Sequence, residues 1–134
     1  MPTIVFDVFI PRRDGEAPAQ LHQAFTTAVE ILVSHGRLTS AEVTAGVAEG
    51  VPPAVVAELA QVYTREHGRS PGEAQLHRFA IAADAPGLSY NDLAMSLARI
   101  LTPRAQLPAD PVALERQLDF EVPALYPWTV EIRR

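Results

Sequence analysis

The sequence predicts an α+β fold, a small βαβ-based sheet of three or four strands with four or five helices. Three observations carry that expectation. Short β-branched and aromatic runs, TIVFDVFI, LHRFAIAAD and WTVEIRR, have the length and composition of strands. The longer segments between them carry apolar residues at helical spacing. With 134 residues, 48% of them hydrophobic, the chain fits one domain, 1–134, around one core.

Residues 3–10 are too short for a helix and apolar on both faces except at Asp7, so they read as a central strand that ends at Pro11. Asp14, Gly15 and Pro18 make a turn. Leu21, Phe25, Ala28, Val29 and Leu32 then repeat at helical spacing over 19–35, and Gly36 suits the C-terminal cap. The segment 40–50 carries two signals. Thr39 and Glu42 form a capping box that favours a helix over 40–49, while Val43, Ala45 and Val47 alternate as in a strand. A helix is the preferred reading there. Pro53 opens a helix that runs to His67 and closes at Gly68. Residues 76–84 read as a strand. Ser89 and Asp92 cap a helix over 90–102, and Asp110-Pro111 begins a short helix to about Phe120. Trp128, Val130 and Ile132 alternate with Thr129, Glu131 and Arg133 in a final strand.

Composition excludes several chemistries. The net charge of −5 argues against nucleic acid as a partner, because phosphate neutralisation needs clustered positive charge. All basic residues are arginine, which removes lysine Schiff bases and phosphate loops. Without cysteine there is no disulfide, thiolate nucleophile or sulfur-bound metal. No charged-then-apolar leader and no long apolar run occur, which predicts a soluble cytoplasmic protein without membrane association. A sheet this small leaves a face or edge to be covered, so a homo-oligomer is expected.

The sharpest chemical feature is MPTIVFDVFIPRR. A small residue after Met1 favours removal of the initiator, which leaves Pro2 with a free secondary amine. A strand follows to residue 10, Arg12 comes just beyond it, and an amphipathic helix begins a few residues later. This layout resembles the tautomerase superfamily, the 4-oxalocrotonate tautomerase-like proteins. The resemblance covers the first fifty residues or so. It implies Pro2 as the general base, Arg12 or Arg13 as the clamp on a substrate carboxylate, and a small 2-oxo or enol carboxylate as substrate. Neither a cofactor nor a metal is expected. Physically, desolvation lowers the pKa of an amine, and a guanidinium steadies developing enolate charge.

Other constellations are thinner. His22 and His35 lie too far apart along one helix to share a metal. His67 and His77 flank a loop with Glu66 and Glu73, yet no HxH or HExxH spacing is present. Ser34-His35 and Ser89-Tyr90 occur without a G-x-S-x-G elbow, and no G-x-G-x-x-G loop appears. The alternative to an enzyme is a partner-binding or assembly module. Its anchor would be Phe120, Tyr126 and Trp128, interleaved with Pro123 and Pro127.

Overall fold

Strand β1 (Thr3–Pro11) lies inside the sheet, between β3 (Ala74–Asp84) and β4 (Trp128–Arg133), and most of its side chains are buried on both faces. The computed structural model describes residues 2–85, 87, 89–102 and 126–133. Strand β2 (Ser40–Val47) completes a four-stranded sheet in the order β2-β3-β1-β4, with every neighbouring pair antiparallel. Helix α1 (Ala17–Ser34) links β1 to β2, α2 (Pro53–His67) links β2 to β3, and α3 (Tyr90–Ala98) follows β3. With β3 lying between β1 and β2, the connectivity is the split β-α-β of ferredoxin-like sheets, plus the extra helix α2.

Alternation along β1 decides what each face holds. Ile4, Phe6, Val8 and Ile10 join Phe79, Ile81 and Ala83 of β3 beneath Leu21, Phe25 and Val29 of α1 and Leu93 and Leu97 of α3. Phe25 is the keystone, stacked on Phe6 at 5.3 Å and tilted against Phe79 at 5.5 Å. Burying each large side chain of this kind contributes about 1.5–3 kcal/mol. Phe9 and Leu76, cross-strand partners on the other face, pack under Leu59 and Tyr63 of α2. Helix α2 covers only that end of the second face.

Local signals set the helix ends. Gly36 adopts φ 72°, and the next N–H, of Arg37, turns back to the Leu32 carbonyl at 2.9 Å. Gly68, at φ 69°, closes α2 in the left-handed conformation. Ser89 Oγ accepts the Asp92 N–H at 3.3 Å at the start of α3.

Two expectations need correction. Residues 40–47 are strand β2, not a helix: Val43 and Ala45 pair with Ile81 and Phe79, and that ladder outweighs the Thr39–Glu42 cap signal. Three helices, not the four or five expected of the whole chain, occur among the described residues. The short helix expected over 111–120 lies outside them. Among the described residues no helix is long and apolar enough to cross a membrane.

Candidate functional site

The candidate residues of the N-terminal stretch are distributed along β1. Pro2 is half-buried at one end, where its carbonyl accepts the Ala83 N–H at 3.2 Å. Arg12 follows the other end, where its N–H donates to the Glu73 carbonyl at 2.8 Å. Ten residues of extended chain separate them by about 33 Å. One subunit does not bring this base and this clamp together. The Arg12 side chain is 60% exposed, with the still more exposed Glu73 carboxylate 4.0 Å away.

Arg13 is already engaged. Its Nη2 donates to the Tyr63 hydroxyl at 2.8 Å, and its Nη1 to the Ser70 and Pro71 carbonyls at 3.3 and 3.1 Å. Its guanidinium also lies 5.8 Å from the Tyr63 ring centroid. These contacts tie the end of β1 to α2 and to the loop after it. Beside them, the Tyr126 hydroxyl donates to Asp14 Oδ2 at 3.0 Å. Burial and then the Asp14 bond push Tyr126 up to about 12. The result is a set of polar contacts that pins the end of β1 to α2 and to the segment just before β4.

A second place was not anticipated. His22 of α1 and His77 of β3 line one groove of about 230 Å³, together with Val47 and Phe79. His22 Nε2 lies 3.3 Å from the Val43 carbonyl, and burial lowers the pKa of His77. The sequence paired His77 with His67, but His67 stacks on Tyr63 at 4.5 Å on the α2 face, across the sheet from His77. Reading 40–49 as a helix hid the true neighbour, since the groove exists only if Val47 lies on a strand beside His77. Among the described residues no three metal-ligating side chains converge.

The third place is the β4 border. Asn91, Ala94 and Met95 of α3, with Val130 and Ile132 of β4, line a groove of about 340 Å³. Met95 is 60% exposed and Val130 40%. Strand β4 has no neighbour on its outer side among the described residues. The aromatic residues expected to anchor a partner turn inward instead: Trp128 packs edge-on against Phe6 at 5.8 Å and its Nε1 donates to Thr102 Oγ1 at 3.0 Å. Phe120 and Pro123 lie outside the described residues.

No family model, no curated protein and no solved structure matches this chain.

Proposed function

We propose that the chain is a non-enzymatic assembly module, a homo-oligomer whose subunits meet at the β4 border. The observation that supports this reading is that β4 has no outer neighbour among the described residues and carries exposed Val130 next to exposed Met95 of α3. Backbone donors and acceptors at an edge supply affinity, and an adjacent apolar groove supplies the water exclusion that an edge alone lacks. Light scattering on the untagged protein tests the reading. A dimer or larger assembly at micromolar concentration is expected, and a monomer overturns it.

The N-terminus supports a second reading, a tautomerase-like isomerase acting on a small 2-oxo or enol carboxylate. Pro2 would be its base and Arg12 its carboxylate clamp. In its favour, Pro2 is half-buried with its carbonyl accepting from Ala83, and the exposed Arg12 side chain is accessible to an anion. The length of β1 requires the two groups of one site to come from different subunits. Arg13, bound to Tyr63, suits a structural part better.

A further inference from the structure

The β1–β4 ladder fixes what a neighbour of β4 must present. Phe9 N–H donates to the Pro127 carbonyl at 2.8 Å, and the pairing continues through Asp7–Thr129, Val5–Glu131 and Thr3–Arg133. In an antiparallel ladder alternate residues turn their N–H and C=O groups toward a given neighbour. The odd-numbered residues of β4 therefore face β1. The backbone groups of Val130 and Ile132 point outward, with no strand to receive them among the described residues.

We propose that a second copy of this chain occupies that edge, its β4 running antiparallel to this one about a two-fold axis at Ile132. The inference rests on the assembly reading and names its interface. Pleating allows only registers that keep like faces together, which every two-fold centred on a residue of β4 does, so the register is set by which side chains it brings opposite one another. Centred on Ile132, each Glu131 stands opposite the partner's Arg133, twice over. Both pairs fall at non-hydrogen-bonded positions, where Cα atoms approach to about 4.5 Å and side chains lie nearest. Centred on Glu131, the same close position sets Glu131 against the partner's Glu131. Among the registers centred on a residue of β4, only the Ile132-centred one sets Glu131 against Arg133, and charge selects it.

The other face agrees with this choice. Ile132 meets the partner's Ile132, the two Val130 side chains lie on the diagonals, and Met95 of each α3 stands over the seam. Charged residues on an edge usually discourage pairing. Here Glu131 and Arg133, 3.3 Å apart within one strand, are self-complementary under the two-fold. The opposite edge offers no such pattern. On the same face β2 carries Glu42, Thr44 and Gly46, with no cation and with a glycine that weakens the strand. The assembly is then one eight-stranded sheet, with all helices α1 and α3 on one side.

Sedimentation equilibrium on the full untagged chain and three variants tests the proposal. Glu131→Gln and Arg133→Glu should each weaken the wild-type dimer by about tenfold or more. The double variant Glu131→Arg with Arg133→Glu should recover most of the loss, and its recovery also shows that the fold is intact. Added salt should raise the wild-type dissociation constant without any substitution. Tightening by Glu131→Gln would assign the Glu131-centred register and overturn the proposal. A wild-type dimer indifferent to salt and to all three variants would overturn this interface and leave the assembly reading standing. A wild-type monomer would overturn both.

Discussion

Asp7 and Arg78 stand directly opposite each other on β1 and β3, joined by two hydrogen bonds, Nε to Oδ1 at 2.8 Å and Nη2 to Oδ2 at 3.0 Å. The planar guanidinium matches the carboxylate fork. The pair occupies the middle of the sheet face that α2 leaves open, with Asp7 only 16% exposed. It explains how a strand otherwise apolar on both faces accommodates one acid.

Removing Arg78 therefore strands a largely buried carboxylate. Arg78→Met should cost about 1–3 kcal/mol in urea unfolding, and Asp7→Asn a similar amount. The double variant should cost less than the sum, with a coupling of about 1 kcal/mol. Additive losses would show that the two bonds contribute nothing jointly.

Phe25 touches Phe6 and Phe79 at the centre of the core and is fully buried. Phe25→Ala should cost about 3–5 kcal/mol, transfer and cavity together. Phe25→Leu should cost less, because it keeps most of the volume. A loss under 1 kcal/mol for the alanine variant, on the order of an exposed site, would contradict this packing.

Tyr126 supplies a pH prediction. Its folded pKa, about 12, lies above the ordinary value of 10.0, so the folded state favours the protonated phenol. That contribution is complete below pH 10 and is lost as pH rises toward about 12. Unfolding measured across this range should show a steeper decline for wild type than for Tyr126→Phe. Asp14→Asn should flatten the decline in part. Identical slopes in all three proteins would contradict the assignment.

The isomerase reading stands on a free amine at Pro2. An N-terminal tag should abolish keto–enol conversion of phenylpyruvate, while Pro2→Ala should retain part of it through a primary amine. Arg12→Ala should weaken substrate binding by about 1.5–3 kcal/mol, the worth of a charge-assisted bond. Equal activity in tagged and untagged protein removes this reading and leaves the assembly reading untouched.

Much of this fold is written locally. The periodicity of Leu21, Phe25 and Val29, the Ser89–Asp92 cap and the two-sided apolarity of 3–10 each correspond to an observed element. Strand β2 was obscured because its strongest local cue, Thr39 with Glu42, is a helix cap. What decides it is a ladder to Ile81 and Phe79, well over thirty residues away. Strand order is long-range in the same way, which is why the His22–His77 groove had no visible signature. Arg13 shows the converse limit. Its position beside Arg12 suggested two interchangeable clamps, but Tyr63, fifty residues on, takes one of them. The β4 border was legible in part: the alternation of Val130 and Ile132 against Glu131 and Arg133 is in the sequence, but which atoms face outward is set by β1.

Hydrogen exchange at the Val130 and Ile132 amides, followed as a function of protein concentration, tests the assembly at β4 most directly. These two amides point away from β1, whereas those of Thr129 and Glu131 point toward it. The account predicts that exchange at Val130 and Ile132 slows as concentration rises through the dimer dissociation constant, while Thr129 and Glu131 stay protected throughout. Exchange at Val130 and Ile132 that is the same at every concentration, whether fast or slow, would contradict it.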